Sequence, residues 1–165
     1  MTESDPSVIE EILEDIGAEH DAWIELTRGF SSEELMKRPA NGWSLIDMLL
    51  HVASWKENAT GVGRLQAEPH APFPARELTP AGVLGIDEKL FNQDFMDAHR
   101  AWRLEQAVEW SNQVHRGLLQ ALNDLPEERV LGGKGPRGAR LWYWSPAVIV
   151  SSHHRREAED RLRRQ

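Results

Sequence analysis

The residues best suited to chemistry lie in two short stretches. His51 sits within GWSLIDMLLHVASWKEN, and His153, His154 and Glu157 sit within VIVSSHHRREAED. On a helix, positions i and i+4 lie about 40° apart around the axis, so His153 and Glu157 can converge on one point. With His51 they would form a two-histidine, one-carboxylate set, which can hold a metal and leave positions open for water or substrate. Adjacent histidines diverge by about 100°, so His153 and His154 cannot serve one face equally. One face carries Ile149, Val150, His153, Glu157 and Asp160; the other carries Ala147, Ser151, His154, Ala158 and Leu162. Periodicity leaves two readings open, the ligand pair or an inward His154 with His153 and Glu157 in solvent. His51 alone, between Met48 and Trp55, reads as a hydrogen-bonded core histidine.

Other candidates are poorer. Ser151 and Ser152 lack a nucleophile elbow. GGKGPRG could bring Lys134 and Arg137 to a phosphate, but it lacks the preceding strand and the following Ser or Thr of a phosphate loop. Asp47, three residues after Ser44, is explained more economically as a helix cap than as a catalytic acid. His20 shares an apolar stripe and reads as a core or rim residue. His70, His99 and His115 have no ligand-like partner one turn away and read as solvent-facing or rim residues. The chain has no cysteine, so thiol catalysis by its own side chains is excluded and any metal must be held by His, Asp or Glu.

The elements that must position these residues read as helices. A stripe of Ile9, Ile12, Leu13, Ile16, Trp23 and Ile24 predicts a first helix from about residue 6 to 28, opened by Asp5 and Pro6. A short helical turn and a loop follow, and a second helix starts near Ser44. Residues 61 to 85 contain four prolines and four glycines, which predict a long connection rather than a continued helix. A third helical region spans about 86 to 125, and Ser145-Pro146 predicts the start of a last helix running to the C-terminus. LWYW could pair as a strand, but no second alternating stretch offers a partner. An all-α, four-helix bundle with a long crossover between helices two and three is the economical architecture.

At 165 residues the chain fits a single domain over 1–165 with its own core. A net charge of -8 argues against a nucleic-acid partner, and the arginine-rich end complements the negative end of a terminal helix. The apolar runs fall well short of the roughly 20 residues that cross a bilayer, and the acidic start lacks a signal peptide's basic region. A soluble, cytoplasmic protein with no membrane partner is expected. Seven tryptophans are many for this length, and any subset left outside the core would line a pocket.

GWSLIDMLLHVASWKE resembles the second-helix signature of the DinB-like superfamily, the YfiT-type metal-dependent hydrolases. The resemblance continues through IDEKLFNQDFMDAHR and LLQALNDLPEERV into SSHHRREAEDRLRR, and its mid-chain pattern is most similar to ClbS/DfsB-type proteins. It implies an up-down-down-up four-helix bundle, often a homodimer, with a divalent metal, commonly zinc or nickel, at one end. The implied ligands are one histidine from helix two and an HxxxH pair from the last helix. His51 matches the first. Aligning the last helix on an HYxxH-type ending makes His153 the next ligand and puts Glu157 where a histidine is usual. Aligning it on an HHRGQ form instead makes His154 a ligand and puts Val150 at its partner's position. The first alignment keeps three metal-binding groups, so the expected set is His51, His153 and Glu157. The implied activity is hydrolysis, or transfer of a low-molecular-weight thiol to a small-molecule substrate, in stress or detoxification. The competing expectation is a metal-free bundle that binds or sequesters a small molecule.

Overall fold

Helices begin where a side chain can accept the amide protons that a first turn leaves free. In the computed structural model, which describes residues 7–40, 42–68, 80–130 and 144–164, α1 (Val8–Arg28) opens on a reciprocal capping box between Ser7 and Glu10. The same device opens α2 (Ser32–Met36) through Ser31 and Glu34, and α3 (Leu45–Ala67) through Ser44 and Asp47. α4 (Pro80–Leu84) ends at Gly85, whose φ of 66° suits a residue without Cβ. α5 (Glu88–His99) is capped by Asp87, and α6 (Leu104–Asn123), α7 (Glu127–Val130) and α8 (Ile149–Arg163) follow. Among the described residues there is no strand, and the fold is all-α.

Three boundaries differ from the sequence expectation. α3 does not stop near residue 60 but continues through Gly61 and Gly63 to Ala67. Burial of Val62 and Gln66 on the extra turns offsets the roughly 1 kcal/mol that each helical glycine costs. The region from 86 to 125 is two helices, because the Gln106 side chain accepts the Arg103 amide and starts α6 anew. Ser145 and Pro146 form a 3-10 turn rather than the start of the last helix, and no side chain caps α8. Asp5, Pro6, His70, Lys134, Arg137, residues 69–79 of the expected crossover and the first three residues of LWYW lie outside the described residues.

α3 packs most extensively against α6 and also meets α8, α5 and α4. Its buried residues lie all round its circumference, as expected of a helix with little amphipathicity. The buried apolar side chains fall into two clusters. One gathers Ile12, Ile16, Ala59, Val62, Leu118 and Leu122; the other gathers Trp23, Leu49, Leu50, Val52, Ala107, Ala158 and Leu162. On each long helix, the residues between these clusters are polar and buried: Glu19 and His20 on α1, Lys56 on α3, Ser111 and His115 on α6, and Ser151 on α8.

Much of this polar layer is bonded internally, although His115 Nδ1 makes no hydrogen bond among the described residues. His20 Nε2 lies 2.8 Å from Asn112 Oδ1, and its Nδ1 lies 3.3 Å from Lys56 Nζ. The His20 and His115 rings stack with centroids 3.9 Å apart. His115 is therefore a core residue, not the rim residue that its sequence context suggested. Burial holds the Lys56 pKa down to about 8, against the pull of Glu19. Burial, then Lys56, lowers the His20 pKa to about 4; burial, then His20 and Lys56, lowers that of His115 to about 3.

Because these folded-state values lie below the ordinary ones, the unfolded chain binds more protons in each window, and stability rises with pH there. Urea midpoints should fall as pH drops from 6.5 toward 4 through the histidines, and should rise between about pH 8 and 10.5 through Lys56. His115→Phe, which keeps a stacked ring, should shrink the acid-side fall, and Lys56→Met should flatten the alkaline rise.

Candidate metal centre

Beside the second apolar cluster, α3 and α8 bring two imidazoles together. His51 is buried, and its ring meets that of His154 nearly perpendicularly, with centroids 5.0 Å apart. Trp43, just before α3, lies over both, 4.8 Å from the His51 ring and 6.1 Å from the His154 ring. Trp55 meets His51 edge-on at 6.5 Å. Asn92 of α5 accepts the Trp55 indole N–H at 3.1 Å and lies near enough to the His51 ring to favour its protonated form.

α8 therefore turns His154, not His153, toward His51. The rotation follows from its neighbours one turn away. Ser151 is fully buried, accepts the Trp23 indole N–H at 3.0 Å and donates to Glu19 at 3.2 Å. Arg155 clasps the Glu19 carboxylate with two nitrogens, at 2.9 and 3.0 Å, and also pairs with Glu159. With Ser151 and Arg155 both fixed on α1, the inward face is the one carrying Ala158 and Leu162, and His153 is exposed. Of the expected set, His51 is thus joined by the neighbour of His153, and Val150 occupies the position one turn before it.

Glu157 lies on the rim of the same group. Its Oε2 is 3.8 Å from His154 Nδ1, and its Oε1 accepts Arg161 Nη2 at 2.6 Å. Arg161 also donates to the Trp43 carbonyl at 2.6 Å, tying α8 to the segment that covers the histidines. One nitrogen or oxygen from each of His153, His154 and Glu157 lies within 4.8 Å of the others.

His154 and Glu157, with the exposed His153 beside them, offer donor types that suit a divalent cation, and His51 faces His154. His154 Nδ1 is buried and makes no hydrogen bond among the described residues, with Glu157 Oε2 3.8 Å away, so it is a buried polar atom that a cation could satisfy. Burial, then His154, lowers the His51 pKa to about 4 against the opposing Asn92 bond. Burial and His153 likewise hold His154 below its ordinary value. Both rings are therefore neutral at pH 7, the form that binds metals.

Asp47 is a structural residue in this geometry. It accepts the Ser44 amide at 2.8 Å and two Arg38 nitrogens at 2.7 and 2.8 Å. Burial would raise its pKa, but the bonds from Arg38 and Ser44 outweigh that and hold the carboxyl below the usual range. Sequence reasoning found the cap but not Arg38, which has no periodic signal in its loop.

A family model described as the DinB superfamily matches residues 16–156. The chain belongs to that superfamily. No curated protein and no solved structure matches it. Among the described residues, no helix is long and apolar enough to cross a membrane.

Asp47→Ala should lower stability by about 2–3 kcal/mol, through loss of the cap and of the Arg38 carboxylate partner. Chemical denaturation followed by circular dichroism checks this, and an unchanged midpoint would contradict the anchoring role.

Proposed function

We propose that this DinB-superfamily protein is a metal-dependent enzyme acting on a small molecule, either as a hydrolase or as a low-molecular-weight-thiol transferase, in stress or detoxification. The observation that carries the reading is the buried, unpartnered His154 Nδ1 beside His51. We assign His51 and His154 as the two nitrogen ligands and Glu157 as the oxygen ligand of a divalent cation, with zinc or nickel favoured by imidazole ligation. His153, expected as a ligand from the family alignment, stands beside this set as an exposed imidazole. When bound, such a cation supplies Lewis acidity toward water, a thiol or a substrate oxygen.

The chain's own groups prepare the site. Arg161 holds one Glu157 oxygen and leaves the other facing His154. Asn92 orients His51, as a second group behind a ligand commonly does. Trp43 covers both rings and limits the entry of water. The homodimer and the cytoplasmic location implied by the resemblance belong to the same reading.

A metal-free binding role is the second reading, and the Arg161–Glu157 pair favours it, because Arg161 competes with a cation for the carboxylate. Metal analysis of the untagged protein separates the two. Zinc or nickel should be present in the wild type and in His153→Ala, and should fall at least about tenfold in His51→Ala and His154→Ala. Negligible metal in every variant sinks the enzyme reading, and loss in His153→Ala alone restores the other alignment.

A further inference from the structure

A cavity of about 400 Å³ opens between α5 and the segment before α3, and its walls include Trp43 and Asn92. These same two residues touch His51, so the cavity adjoins the imidazole pair rather than lying elsewhere on the bundle. Its size is at the lower end for sites that take small molecules.

The rest of the wall gives the cavity a chemical character. Trp43 and the nearly buried Met96 offer an aromatic face and a polarizable thioether, which suit an apolar body. Asn92 and Gln93 supply amides. Lys89, Arg100 and Asp97 supply the charges, and Asp97 is already paired with Arg100 at 3.2 Å. Among the described residues no carboxylate pairs with Lys89. The cavity therefore carries one uncompensated positive charge within a chain whose formal charge is -8. Beyond a Debye length of roughly 8–10 Å the overall charge is screened, so an entering molecule meets this local excess.

We propose that the cavity between Trp43 and α5 is the substrate-recognition pocket and takes a small monocarboxylate with an apolar, ring-sized body, its carboxylate paired with Lys89. This rests on the reading of His51 and His154 as the reacting end. Lys89 is then a specificity residue rather than a catalytic one. The apolar body lies against Trp43 and Met96, and the Asn92 amide, shared with His51, marks the boundary between recognition and reaction.

Isothermal titration with 1-naphthoate and its neutral isostere 1-naphthamide tests this, on the protein as isolated and after chelation with EDTA. Naphthoate should bind roughly fivefold more tightly than naphthamide in both preparations, the effect of about 1 kcal/mol from one partly solvated pair. Lys89→Glu should abolish that preference while leaving metal content and thermal midpoint unchanged, since Lys89 is exposed and makes no ion pair among the described residues. Equal binding of the two probes, binding of neither, or a preference that survives Lys89→Glu overturns the proposal. Metal content is measured on the same samples. A preference in protein that carries no metal as isolated leaves the pocket standing and sinks the metal reading; normal metal as isolated with no preference does the reverse.

Discussion

From Leu45 to Lys56 α3 has no face to give to solvent, and the other long helices are arranged by that constraint. Residues as different as Leu50, Ala53, Lys56 and Val62 are all buried on it, so neighbours must cover it from several directions at once. A helix with one apolar stripe can be satisfied by one partner; a helix buried all round needs a bundle. The same enclosure forces Lys56 into the interior, where it is tolerable only because His20, Asn112 and Glu19 form a polar layer around it. That layer divides the apolar core into two clusters and demands alignment along the axis, because a helix displaced by one turn would set its polar group against hydrocarbon.

Rotation about the axis is set by a different contact. Glu19 receives Ser151 and Arg155 of α8, and Trp23 adds a bond to the same serine. These bonds hold α8 at one angle relative to α1, and the angle decides which imidazole faces His51. The candidate centre thus depends on a carboxylate that binds neither histidine. Arg161 adds a second tie, from Glu157 to the Trp43 carbonyl.

Helical periodicity and capping boxes made most of the fold legible. The first helix, the short helical turn after it, the start of α3 near Ser44 and the helical character of the 86–125 region followed from local rules, and these elements form from local energetics. The end of α3 was not legible, because Gly61 and Gly63 argue against a helix locally while the burial of Val62 favours it through distant partners. His51 was recognisable as a candidate from its family-like setting. The choice between His153 and His154 was not, because it depends on tertiary bonds from Ser151 and Arg155. The apolar face of the last helix, running through Ala158 and Leu162, was the one available signal, and it pointed to His154. Lys56 also left a trace: a single lysine at the end of the buried run that starts at Leu45 sits on the covered part of the helix.

Asn92 carries a consequence for the chemistry of His51. An indole nitrogen can only donate, so the Asn92 atom facing Trp55 is its carbonyl oxygen. Asn92 favours the protonated form of His51, so what it offers the imidazole is likewise an acceptor, and the ring nitrogen facing it carries the proton. A neutral ring has only one proton to place, so its other nitrogen presents a lone pair. A single amide on α5 thereby selects the tautomer of a ring on α3, and does so through a tryptophan that never touches the proton.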